Sequence, residues 1–133
     1  MRILVDANII ISAGLFPESN VGRALAHIVE THSLVLYQYT LDELKSVFKK
    51  KFPERIEYLN KFVRELTYEL VEAELMNHNK YPEIRDSDDL PVLGYAIESK
   101  VNVLLTGDKD FDGINIGALK IMNPRKYIDE YMK

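Results

Sequence analysis

Val101-Asn102-Val103-Leu104-Leu105-Thr106-Gly107-Asp108 (VNVLLTGD) reads as a short β-branched and apolar strand running straight into a turn and an aspartate. The amino terminus repeats the arrangement, since residues 2–6 (RILVD) form a buried-strand run that ends at Asp6. Ser33–Tyr37 (SLVLY) is a further strand, Leu70–Ala73 a short one and Leu119–Met122 the last. Helices are expected between them. Asn20 is placed to cap one whose apolar face is Val21, Leu25, Ile28 and Val29. Thr40-Leu41-Asp42-Glu43 has the spacing of a capping box and opens a helix to about Phe52, where Pro53 breaks it. Glu54–Leu66 carries Ile56, Leu59, Phe62, Val63 and Leu66 on one stripe. Residues 76–88 are polar, with Asn77, Asn79, Pro82 and Asp86, and read as a loop. A helix follows from about Asp89 to Ser99, burying Val92, Leu93, Ala96 and Ile97, and Pro124 suits the first turn of a closing helix. Strands alternating with helices imply a single α/β domain over residues 1–133, three layers deep (α/β/α), with a central, mainly parallel sheet. In such sheets ligands bind outside the carboxyl ends of the strands, which is where Asp6 and Asp108 stand.

Composition narrows the chemistry. The chain has 133 residues, 47% of them hydrophobic and 29% charged, enough to bury a core without cross-links. It has no cysteine, which excludes disulfides, thiolate metal sites and cysteine nucleophiles. The opening residues are too short an apolar run for a signal peptide, and no stretch approaches the ~18–20 apolar residues of a membrane span. A cytoplasmic protein with no membrane partner is therefore expected. The net charge of −4 argues against a nucleic-acid partner only at first sight. With Asp6, Glu43, Asp89, Asp108 and Asp110 set aside from the 21 acids, 16 remain against 17 Lys and Arg. Lys45, Lys49, Lys50, Lys51 and Arg55 also cluster in one short stretch.

The acids fall at four stations: Leu4-Val5-Asp6-Ala7-Asn8; Glu43, early in a helix; Asp86-Ser87-Asp88-Asp89, leading into a helix; and Thr106-Gly107-Asp108-Lys109-Asp110. With these stations in this order, the chain resembles the PIN-domain family, in particular its small prokaryotic, VapC-like members that serve as toxins of toxin–antitoxin pairs. The resemblance runs from LVDANIIISA through LDELKSVF, RDSDDLPVLGYAI and VLLTGDKDF to KIMNPRKYI. It implies a PIN-like fold and a metal-dependent endoribonuclease acting on single-stranded RNA. It places the metal-site acids on Asp6, Glu43, Asp89 and Asp108, with Asp110 as a frequent fifth, and polar supporting positions on Asn8 and Thr106. Asp89 rather than Asp88 is the match because it stands four residues before Leu93 of the apolar helix. The sequence departs from the family pattern at Ala7, where many members have a small hydroxyl residue, and at Leu90, where close relatives often carry another acid. Neither departure removes a ligand. The resemblance further implies an RNA substrate, an antitoxin partner and a homodimer.

The physics of the residues agrees. Two carboxylates ~4 Å apart repel by about 4 kcal/mol at an effective dielectric of 20, so four converging acids need a cation. Oxygen-only ligands favour Mg²⁺ or Mn²⁺ over zinc. Such ions assist in-line attack of water on a phosphodiester, and the products expected from that chemistry and the family carry a 5′-phosphate and a 3′-hydroxyl.

Each station also has a structural reading. Asp6 alone is a polar strand end, and Glu43 is explained by the capping box without any metal. The acids of residues 86–89 suit a helix N-terminus, and Gly107-Asp108 is compatible with an ordinary turn. The basic run is in most proteins a solvated helix face. His27, His32 and His78 share no ligand spacing, and the eight tyrosines are chiefly packing residues, with no sign of which one would stack a base. Among other functions, an aspartyl-phosphate phosphatase needs a second aspartate where Asn8 stands, and a response-regulator receiver needs an acidic pair at the first strand. A housekeeping RNA-processing PIN nuclease and a catalytically silent PIN-fold binding module are the alternatives within the family.

Overall fold

The computed structural model describes residues 1–71, 90–111 and 116–132, and for Leu90, Pro91 and Asp110 the backbone alone. Five strands form one sheet: β1 (Arg2–Val5), β2 (Ser33–Tyr37), β3 (Glu69–Val71), β4 (Val103–Leu105) and β5 (Lys120–Met122), in the order β3-β2-β1-β4-β5. Every pairing is parallel, with Ile3 beside Leu34 on one flank and beside Val103 on the other. The expected mainly parallel sheet is thus wholly parallel among the described strands.

Successive residues of a strand face opposite sides of the sheet, and each side builds its own core. Ile3, Val5, Leu34, Leu36, Val103 and Leu105 join one apolar cluster, while Leu4, Val35, Tyr37 and Leu104 join the other. The first side is covered by α1 (Ala7–Leu15), α2 (Asn20–Thr31), α4 (Ile56–Glu65) and α6 (Pro124–Tyr131) through Ile10, Leu25, Ile28, Leu59 and Tyr127. The second is covered by α5 (Leu90–Glu98) through Val92, Leu93, Tyr95 and Ala96. Buried side chains such as Ile3, Leu4 and Leu34 contribute about 1.5–3 kcal/mol each. The three-layer α/β/α architecture follows. No helix among the described residues is long and apolar enough to cross a membrane.

Helix starts depart from the sequence reading in two places. The cap of α2 is Ser19, whose hydroxyl accepts from the Gly22 amide at 3.1 Å, and Asn20 is the first helical residue. Ser19→Ala is expected to cost about 1 kcal/mol and Asn20→Ala to stay within about 0.5 kcal/mol. Urea-denaturation midpoints measure both, and equal losses would reassign the cap. The capping box at Thr40 does not form. Helix α3 (Gln38–Lys51) starts directly from β2, with Tyr37 at its cap position and no side-chain capping bond. Thr40 is buried as the third residue of the helix, so it does not stand at the cap position that a capping box requires. Strand β3 (Glu69–Val71) starts one residue earlier than expected, where the Arg2 guanidinium meets Glu69 at 2.7 Å, and residues 72 and 73 of the expected strand lie outside the described residues. Residues 76–88 and Asp89 lie outside the described residues.

Candidate active site

In an all-parallel sheet every carboxyl end lies at the same edge, and β1 here sits where the chain's strand order reverses. Strands β2 and β3 pair on one side of it, β4 and β5 on the other. That reversal opens a crevice between the carboxyl ends of β1 and β4. Asp6 follows β1 directly and is tied to β4 through its amide, which donates to the Leu105 carbonyl at 3.0 Å. Asp6 as a whole residue is only 7% exposed.

Thr106, at the end of β4, is the link between two of the acids. Its hydroxyl donates to the Asp6 carboxylate at 2.8 Å and accepts from the Asp108 amide at 3.1 Å. Thr106 is itself buried, and its amide donates to the Met122 carbonyl of β5 at 2.9 Å. One threonine therefore fixes a carboxylate on β1 and the backbone that presents another after β4.

The electrostatics are those of acids brought together. Burial pushes the Asp6 carboxyl above its usual range, and the Asp108 charge adds to that rise. The Thr106 hydroxyl and the Asn8 and Ala7 amides at the start of α1 work in the opposite direction without overcoming it. Both amides belong to the first turn of α1, whose positive end favours a charged carboxylate. Glu43, half-buried in α3, is also pushed up, first by burial and then by the charge of Asp6. The hydroxyl of Tyr39 counters that rise with a hydrogen bond.

Glu43 and Asp108 thus both lie within electrostatic reach of Asp6, with Thr106 holding Asp6 and the Asp108 backbone together. Among the described residues no three acidic or imidazole side chains approach closely enough to hold a metal ion between them. The Asn8 side chain is exposed on α1. Asp89 and the side chain of Asp110 lie outside the described residues. The donor set still suits a hard cation: oxygen ligands only, one of them a buried carboxylate destabilised by like charge. A separate groove of about 350 Å³ between α3 and α4 is lined by Leu41, Leu44, Phe48 and Val63. Helical spacing puts those α3 residues on the face turned away from Glu43, so the groove is not part of the acidic site. Tyr39 is the neighbour that sequence reasoning did not single out. Its one available signal was the i, i+4 spacing to Glu43.

A family model described as PIN domain matches residues 2–110. No curated protein matches the chain significantly. Among solved structures, the chain is similar to a protein in the crystal structure of VapBC2 from Rickettsia felis bound to a DNA fragment from their promoter, with 21% identity and a TM-score of 0.68. That match covers 92% of this chain and 98% of the other, and at this identity it speaks to the fold.

Proposed function

This chain belongs to the PIN-domain family, and we propose that it is a Mg²⁺- or Mn²⁺-dependent endoribonuclease that hydrolyses single-stranded RNA as the toxin of a toxin–antitoxin pair. The observation that carries the reading is the buried Asp6 carboxylate, bonded by Thr106 and pressed by the charge of Asp108, with Glu43 in turn pressed by the charge of Asp6. Such a cluster is costly without a cation and useful with one.

Asp6, Glu43 and Asp108 would hold the ion, joined by Asp89 and Asp110 where the family resemblance puts further ligands. When bound, the ion supplies charge neutralisation and Lewis acidity toward a phosphodiester. The chain's own residues do the rest. The Thr106 hydroxyl keeps one Asp6 oxygen turned toward β4, which leaves the other oxygen for the ion. The same hydroxyl fixes the Asp108 amide, and so the turn that presents the Asp108 carboxylate. The amides at the start of α1 favour the charged form of Asp6, the form a cation needs. Asn8 is exposed beside them, in reach of a substrate phosphate or sugar.

The test is cleavage of labelled single-stranded RNA with Mg²⁺ or Mn²⁺, compared with EDTA and with duplex RNA. Metal-dependent cleavage of the single strand is expected, and no cleavage by pure protein at any divalent-ion concentration would overturn the reading. An antitoxin partner is part of the same proposal, supported by the fold shared with the VapBC2 structure, and a homodimer is proposed from the family resemblance alone. A short reading frame encoding a DNA-binding antitoxin is expected beside the gene, and co-expression with it should give a stable complex whose ribonuclease activity is suppressed.

Thr106→Val checks the role given to the threonine. It keeps the shape but leaves the Asp108 amide and one Asp6 oxygen without their shared partner. A loss of about 1–3 kcal/mol in stability is expected. Cleavage should fall at least ~10-fold, about 1.4 kcal/mol of transition-state stabilisation. Thermal melting and initial rates read the two effects separately, and wild-type rates would show that Thr106 is only a packing residue.

A further inference from the structure

Tyr39 and Glu43 stand one helical turn apart on α3, so their side chains share a face. Glu43 carries its carboxylate on that face, near enough to Asp6 to feel its charge. Tyr39 is half-buried, and its ring packs against the core on the α5 side of the sheet. There it leans on Tyr95 of α5, with ring centroids 6.0 Å apart and planes at 50°. Tyr95 is in turn stacked on Tyr37 at 4.2 Å and 18°, and the Tyr37 hydroxyl donates to the Tyr95 carbonyl at 2.6 Å. Tyr37 and Tyr95 are both buried. The three rings therefore form a fixed wall that runs from the end of β2, across α5, to the first turn of α3.

We propose that Tyr39 is the positioning residue of Glu43: its hydroxyl donates to the Glu43 carboxylate while Tyr95 holds its ring, so that the carboxylate faces Asp6 instead of solvent. A glutamate in the first turns of a surface helix has three rotatable bonds and, left alone, extends into water. Holding it toward a second acid requires a donor that is itself immobile. Tyr39 meets both needs, because a phenol has few torsions and its ring is packed on a buried neighbour. The arrangement is that of an outer hydrogen-bond partner which orients a metal-site carboxylate, and such partners typically matter 10–100-fold in metal affinity or activity. The wall also couples Glu43 to α5, the helix that the third acidic station leads into.

This inference rests on the metal-nuclease reading for its functional consequence, but the contact itself is testable without it. Four proteins are needed: wild type, Tyr39→Phe, Glu43→Ala and the double variant. Tyr39→Phe keeps the ring and removes the donor. It is expected to weaken Mn²⁺ binding by calorimetry several-fold and to lower kcat on single-stranded RNA about 10-fold, with KM for RNA unchanged. In the Glu43→Ala background it should add nothing to either loss. Melting temperatures of the four proteins in EDTA should be non-additive, because removal of either partner removes the same contact. Tyr39→Leu, which also removes the ring, should lose stability that Tyr39→Phe retains. Wild-type Mn²⁺ affinity in Tyr39→Phe, or additive melting temperatures across the cycle, would overturn the proposal. If the wild type neither binds Mn²⁺ nor cuts RNA, the nuclease reading fails, and the melting cycle alone decides the positioning role.

Discussion

Asp6→Asn is expected to abolish metal-dependent RNA cleavage while leaving the metal-free protein as stable as wild type or slightly more so. The substitution is nearly isosteric, and Asn can still accept from the Thr106 hydroxyl, whose hydrogen bond at 2.8 Å anchors the position. What it removes is a negative charge that burial and Asp108 both disfavour. The loss of activity should reach at least ~1,000-fold, about 4 kcal/mol of transition-state stabilisation. The stability change has a pH signature. In the folded protein the Asp6 carboxyl sits above its ordinary value of 3.8, so in the absence of metal the fold binds that proton more tightly than the unfolded chain does. Its stabilising share is full below about pH 3.8 and is lost as pH rises through the raised folded value. In EDTA, the melting temperature of Asp6→Asn relative to wild type should therefore increase as pH rises through that window. Magnesium should reverse the order at neutral pH, since an ion bound only by the folded wild type raises its melting temperature. A variant that cuts RNA at the wild-type rate would remove Asp6 from the ligand set.

The strands were legible because buried parallel strands are continuous apolar runs with little competing signal. Residues 2–6 and 101–106 announced both the central pair of strands and the acids at their ends. Helix α1 was not legible. Its sequence ANIIISAGL buries Ala7, Ile9, Ile10, Ile11, Ala13 and Gly14, leaving only Asn8 and Ser12 as a narrow polar edge, too little for a helical period to stand out. It also has no loop before it, since Asp6 is at once the strand's end and the helix's cap position. The same economy misplaced the start of α3. A capping-box pattern at Thr40 is a local signal, but Tyr37 passes directly from β2 into the helix, and the packing of Leu44 and Phe48 sets the register.

The candidate site divides along similar lines. Which strand ends carry acids is a sequence-level fact, and parallel pairing of β1 with β4 makes Asp6 and Asp108 neighbours. That a single hydroxyl, Thr106, would serve both of them depends on a bond 2.8 Å long between residues a hundred positions apart, which no periodicity encodes. Tyr39 was one of eight tyrosines until α5 supplied the ring it leans on. The stations at Asp89 and Asp110 rest on the family resemblance.

Glu43→Gln is expected to lower cleavage at least ~100-fold, about 2.7 kcal/mol of transition-state stabilisation, with almost no change in the melt. From sequence alone Glu43 had a rival role as the third residue of a capping box, in which the side chain would bond the Thr40 amide. The fold removes that role. Helix α3 begins at Gln38, its cap position makes no side-chain bond, and Thr40 lies within the helix. No helix-end contact is therefore lost when the carboxylate becomes an amide, and Gln has similar helix propensity. The amide oxygen can still accept from Tyr39, so the local packing survives too. Only the formal charge disappears, and that charge is one that burial and Asp6 both oppose in the metal-free protein. Relief of the repulsion should make the variant no less stable than wild type in EDTA. Its response to Mn²⁺ should be much weaker, because a divalent cation gains little from a neutral amide in place of a carboxylate. The decisive measurement is the pair of curves, melting temperature and cleavage rate, each taken against Mn²⁺ concentration for both proteins. Coincident curves would refute the four-acid site and leave the three aspartates to hold the ion. A lower melt in EDTA would instead return Glu43 to a structural role.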